Sequence, residues 1–254
     1  MPSLQSENHP GFVRDPLRVF LWLCASIVGL VCVGALVELL DYRFDVPVFS
    51  MLDRMFDLDR ESNVPTWASS SLLLLAAFEL FAVSRTDLEH ARRYRLRWVL
   101  LGVIFVLLSL DESARLHERL GDVLLGAAED GTNPFLRNRW VLVYGMVLVP
   151  VVALYLRFVL ELPGKTSLLV FVAGIVYIGG ALGLELLESV AQGSGEREAG
   201  LVMFLLTTAQ EAAEMFGVAV LIYAVGEYRI SGAATSNKPC SAIDQPGRLA
   251  EPVS

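Results

Sequence analysis

Charge is scarce in this 254-residue chain: Asp, Glu, Lys and Arg make up 19% of it, against roughly 25% in a soluble domain. What charge there is sums to −8. With no basic face to displace counterions, a nucleic-acid partner is excluded. Cysteine is nearly absent. Cys24 and Cys32 lie in an apolar run and Cys240 in a polar tail, and none has a metal-ligand spacing or an obvious disulfide partner. There is no glycine-rich phosphate loop, no GxSxG, no CxxC and no HExxH. Nucleotide cofactors and nucleophilic Ser or Cys chemistry are therefore without a motif. No internal repeat is visible either.

What the chain has instead is apolar length. Hydrophobic residues make up 54% of it and the mean hydropathy is +0.54. They come in blocks long enough to span a bilayer core, which takes about 20 residues of helix because lipid offers no partner to backbone amides. Six blocks qualify: Val19 to Leu40, Trp67 to Val83, Trp98 onward through Leu110 into a polar stretch near Gly126, Trp140 to Leu160, Ser167 to Val190, and Leu201 to Val225. The first is too long for the core of a signal peptide and no small-x-small cleavage site follows, so it reads as a retained anchor. The expected fold class is all-α: a polytopic integral membrane protein, a bundle of about six transmembrane helices in contact with the lipid bilayer.

The polar remainder fits around these spans. Residues 1–16 and 229–254 are small, polar and aperiodic, and are expected to be disordered cytoplasmic tails flanking a transmembrane domain over 17–228. In the first outer loop, Val48, Met51, Leu52, Met55 and Phe56 fall on one helical face, with Asp53, Arg54, Asp57 and Asp59 opposite. That pattern predicts an amphipathic helix lying in the interface. With the N-terminus inside, twelve Lys and Arg residues fall on the inner side and eight on the outer, five of the twelve coming from RTDLEHARRYRLR. The positive-inside rule then places both termini in the cytoplasm and the protein in the plasma (inner) membrane.

The chemistry sits in acids that interrupt the apolar helices. The third span reads LLSLDESARLHERL, the fifth GGALGLELLESV and the sixth FLLTTAQEAAEMFG. An ionised group at a helix centre costs about 2.5–3.5 kcal/mol, so Asp111, Glu112, Glu211 and Glu214 would together cost roughly 10–14 kcal/mol if charged and alone. They must be protonated, paired, hydrated or bound to a cation. At about 100° per residue along the third helix, Asp111 and Glu118 lie about 20° apart, with Arg115 about 40° to one side and His117 about 120° to the other. Glu185 with Glu188, and Glu211 with Glu214, each share a helix side at i,i+3, Thr207 lying on the latter stripe and Gln210 at its edge. Glu79 and Glu38 are lone acids, each expected to reach an interface or pair with an arginine.

Three functions follow as expectations. The first is a divalent-cation site, of unassigned metal, serving a membrane-embedded hydrolase or related metalloenzyme. Its ligands would be Asp111, His117, Glu118, Glu185, Glu188, Glu211 and Glu214, supported by Glu112, Arg115, Arg119, Gln210 and Thr207. Two ExxE pairs and no ExxH depart from the di-iron carboxylate pattern. The second is a proton- or cation-coupled transporter or channel subunit using the same acids as a relay, for which six spans would call for a homo-oligomer. The third is a structural or assembly subunit whose acids meet a membrane partner's basic residues.

Overall fold

The computed structural model describes residues 13–44, 46–58, 60, 62–125, 139–192 and 199–236. Among them there are helices and no strand: α1 (Pro16–Phe44), α2 (Pro47–Phe56), α3 (Val64–Ser84), α4 (Glu89–Arg93), α5 (Arg95–Ala114), α6 (Leu116–Leu125), α7 (Arg139–Leu160), α8 (Gly164–Ile178), a π-helical turn (Gly179–Leu184), α9 (Glu185–Gln192) and α10 (Ala199–Ser236). Five helices among the described residues are long and apolar enough to cross a membrane: Pro16–Asp41, Val64–Ser84, Trp140–Leu160, Gly164–Ala191 and Val202–Gly232. Helix α5 matches them in length, at 20 residues, but carries Arg95 and Arg97 at one end and Asp111 and Glu112 at the other.

Local sequence sets the ends of these elements. Asn63 caps α3 through its side-chain oxygen, which accepts from the Thr66 N–H at 3.2 Å and the Thr66 hydroxyl at 3.0 Å. Pro65 occupies the first turn, where its missing N–H costs nothing. Helix α2 is the amphipathic segment expected in the first loop. Leu52 and Phe56 are half-buried, whereas Val48, Met51 and Met55 stay exposed, as they would against headgroups and upper acyl chains. Its register on α1 is fixed by the Ser50 hydroxyl, which donates to Asp41 at 2.6 Å. Asp59 lies outside the described residues.

The third span departs from expectation. Arg115 takes a left-handed conformation, φ 54°, so α5 ends and α6 starts in a new direction. No glycine or proline marks the break. Asp111 stabilises it: one carboxylate oxygen accepts the His117 N–H at 2.6 Å, which caps α6. The tail expectations also shift. Helix α10 continues through Ser236, and Val13 is fully buried rather than loose, because α3 and α10 bind its backbone. Residues 1–12 and 237–254 of the expected tails lie outside the described set.

One end of the bundle is knitted together by polar contacts. The Val13 N–H donates to Glu79 Oε1 at 2.8 Å, and Arg229 Nη2 stands 3.1 Å from Glu79 Oε2 while also donating to the Val13 carbonyl. Lys165 at the start of α8 pairs with Glu227 at 3.1 Å, and the Tyr155 hydroxyl donates to the Arg97 carbonyl at 2.9 Å. Hence α1, α5 and α8 leave from this end and α3, α7 and α10 return to it, and it is the arginine-rich end. Lone Glu79 has its arginine: the pair is 3% and 0% exposed. The main core lies between α3, α5 and α10, around Leu73, Leu80, Val83, Trp98, Met215 and Ile222, while Trp22, Val149 and Phe78 are among the large apolar side chains left facing outward. Such a surface suits lipid contact.

Candidate functional site

Helices α8 and α10 cross with almost no space between backbones. A Cβ on Gly217 would stand 2.8 Å from the Tyr177 nitrogen and 3.0 Å from the Ala173 carbonyl oxygen. One turn further, a Cβ on Gly180 would stand 3.1 Å from both the Ala213 Cβ and the Gln210 carbonyl oxygen. Close approach of this kind lets membrane helices pack without a hydrophobic drive. At the same level α8 widens into the π-helical turn GGALGL, after which Glu185 opens α9. Wide turns within an α-helix leave carbonyls partly free and recur at functional sites.

Glu214 faces this turn. Its carboxylate accepts a hydrogen bond from Gln210, one helical turn back, and lies within electrostatic reach of Glu112 on α5 and Glu185 on α9. Tyr177 on α8 is set among the charges of Glu214, Glu112, Asp111 and Glu211. Four helices, α5, α8, α9 and α10, therefore meet beside the π turn in one acidic neighbourhood, in which Glu112, Glu185, Glu211 and Glu214 are all half-buried. Gln210 is 9% exposed, and its Oε1 is buried with no hydrogen-bond partner among the described residues. That leaves an acceptor beside a crowd of carboxylates, where a proton-bearing or cationic group would be stabilised.

The other expected residues stand around this centre. Glu188 is buried and accepts from the Thr207 hydroxyl at 3.3 Å, which ties α9 to α10 beside the cluster. Because of the break at Arg115, His117 sits against Asp111 and not about 120° away from it: Nδ1 lies 3.4 Å from the second carboxylate oxygen. The Tyr144 hydroxyl hydrogen-bonds the same carboxylate, and the Trp140 ring lies 4.7 Å from the imidazole centroid. Arg115 and Arg119 are exposed. Glu118 lies on α6, and its side chain is outside the described set. Among the described residues, no three His, Cys, Asp or Glu side chains stand where they could hold one metal ion.

Two features of this region were not anticipated. A hydroxyl chain joins α3 to α5, with Ser70 Oγ 2.8 Å from both Ser109 Oγ and Ser113 Oγ. The Ser113 hydroxyl also donates to the Ser109 carbonyl of its own helix at 3.1 Å, so the two serines serve both α5 and its contact with α3; their i,i+4 spacing was the available signal. The second is Tyr177, whose position on the stripe of Glu185 and Glu188 pointed to it.

Residues 20–226 match a family described as a domain of unknown function, DUF8692. The chain belongs to this family. The match runs from within α1 to within α10, so it takes in every element that builds the acidic neighbourhood. No curated protein and no solved structure matches the chain. DUF8692 thus carries no assigned activity to this fold.

Proposed function

We propose that this DUF8692 protein is a plasma-membrane protein of six crossings, α5 being the sixth, which moves protons or a small cation through the acids around Glu214. The observation that carries the reading is the placement of Glu214 midway along α10, beside a π turn, against Glu112, Glu185 and the open acceptor of Gln210. Carboxylates crowded in a low-dielectric setting cannot all ionise, so at least one holds a proton unless a cation neutralises them. A group that exchanges a proton against a cation at that depth is the working element of a relay. The knitted arginine-rich end supports an even number of crossings, and the positive-inside rule puts it and both termini in the cytoplasm. Reporter fusions at Arg95 and in the tail would read cytoplasmic in this topology. The functional test is flux: proteoliposomes of the wild type should dissipate a proton or monovalent-cation gradient, and Glu214→Gln should not.

A second reading, a divalent-cation site serving a hydrolase or related metalloenzyme, draws support from the Asp111–His117 contact. Carboxylates orient imidazoles in this way around metal ligands. Melting in EDTA against Mg, Ca, Mn or Zn separates the two readings. A metal-specific rise lost in Glu211→Gln with Glu214→Gln favours the ion site, whereas a more stable, metal-indifferent double variant favours the relay.

A further inference from the structure

The arginine-rich end contains a feature that the acid cluster does not use. Tyr94, between α4 and α5, carries two guanidinium groups on its ring, with Arg93 Cζ 5.1 Å and Arg97 Cζ 5.0 Å from the centroid. A third guanidinium comes from α7: Arg157 Nε pairs with Glu161 at 2.9 Å, and Arg93 reaches the same carboxylate at 3.7 Å. The Tyr94 hydroxyl donates to Glu161 as well. Two of these cations thus meet one carboxylate while Arg97 lies on the Tyr94 ring, flanked by exposed Arg92 and Arg95, in a chain whose overall charge is −8. Arg97 adds a second, independent sign. Its Nη1 is buried and has no hydrogen-bond acceptor among the described residues. A guanidinium donor of this kind calls for an acceptor from outside, and its planar fork matches the oxygens of a phosphate.

We propose that the corner formed by α4, the start of α5 and the end of α7 binds the phosphate of an anionic phospholipid. The depth is right for a headgroup. Tyr94 stands here, where the apolar stretches of α5, α7 and α10 give way to charge, as an interfacial aromatic residue does, and Trp98, Tyr155 and Tyr228 pack behind it in the core. Anionic headgroups are attracted to clustered arginines beside membrane helices. In this arrangement Arg97 and Arg93 hold phosphate oxygens while stacked on Tyr94, and Glu161 keeps Arg157 and Arg93 in position. The inference rests on membrane placement and not on the relay, so the two fail separately: Glu214→Gln is expected to keep the lipid response.

Thermal melting of the purified full chain in neutral detergent tests it, with phosphatidylcholine, phosphatidylglycerol or inorganic phosphate added. Phosphatidylglycerol should raise the midpoint at about tenfold lower concentration than phosphatidylcholine, the scale expected of one to two arginine–lipid attractions. Arg97→Gln should remove that preference. In case Arg97→Gln misfolds, the exposed pair Arg93→Gln with Arg157→Gln should melt like the wild type in phosphatidylcholine and lose the preference too. Equal response to both lipids, an undiminished preference in these variants, or the same shift from inorganic phosphate alone would overturn the proposal.

Discussion

Removing Arg229 should be among the most damaging single changes in the protein. Its guanidinium is 3% exposed, stands 3.1 Å from the fully buried Glu79 carboxylate, and donates to the Val13 carbonyl. Glu79 in turn accepts the Val13 N–H at 2.8 Å. Arg229→Met therefore takes the guanidinium away from a buried carboxylate, and breaking a buried pair by removing one partner costs about 3–5 kcal/mol. Glu79→Leu leaves a buried guanidinium and should cost about the same. The double variant has no stranded charge. What remains is the unpaired N–H and carbonyl of Val13, at about 1–3 kcal/mol each, so it should cost about 2–6 kcal/mol against roughly 6–10 kcal/mol for the sum of the singles. Equilibrium unfolding in detergent of all four proteins gives the coupling directly. Additive costs, or a loss below about 1 kcal/mol for Arg229→Met, would refute the reasoning, because only an exposed pair is worth so little.

Two further outcomes are expected. Gly217→Ala should lower the melting midpoint by an amount equivalent to about 1–3 kcal/mol, since the new Cβ meets the Tyr177 and Ala173 backbone, which cannot give way; Gly145→Ala, with nothing within 4 Å, should be neutral. His90 on α4 is boxed by Tyr94, Phe158, Trp98 and Tyr228, with Glu161 drawing its proton on and Arg93 opposing it. Burial, the largest effect, holds its pKa below the ordinary 6.5. The unfolded chain then binds more protons in that range, so stability falls as pH drops through about 6.5. Melting scanned over pH should show this slope in the wild type and a flatter one in His90→Phe.

How much of this was legible in the sequence depends on the range of the interaction. Five of the six expected spans were, because apolar blocks of bilayer length leave the backbone little choice, and so was α2 from its one-sided apolar pattern. Val13 and the continuation of α10 past residue 229 were not: composition marked both as tail, and only long-range contacts order the first of them. The break at Arg115 has no Gly or Pro to announce it. It is stabilised by Asp111, four residues back, acting as a cap, and it moves His117 onto Asp111 in a way that helical spacing cannot foresee. Glu79 and Arg229 are 150 residues apart, so burial cost implied a partner for Glu79 without naming it. The π turn was half legible, since Gly179, Gly180 and Gly183 stand together just before Glu185, and glycines in a membrane helix permit close packing. Glu214 was the best-founded expectation: an acid between apolar residues on both sides must find polar company.

The central claim, that the acids around Glu214 carry charge across the membrane, is tested most directly by gradient dissipation in proteoliposomes. Wild-type protein and Glu214→Gln would be reconstituted at matched density, with folding of both checked by melting. The account predicts flux in the wild type and its loss in Glu214→Gln, with the variant folded and no less stable, because a neutral amide in the crowded site relieves repulsion while removing the exchangeable proton. Undiminished flux through a folded Glu214→Gln, or no flux of protons or monovalent cations from the wild type, would contradict it.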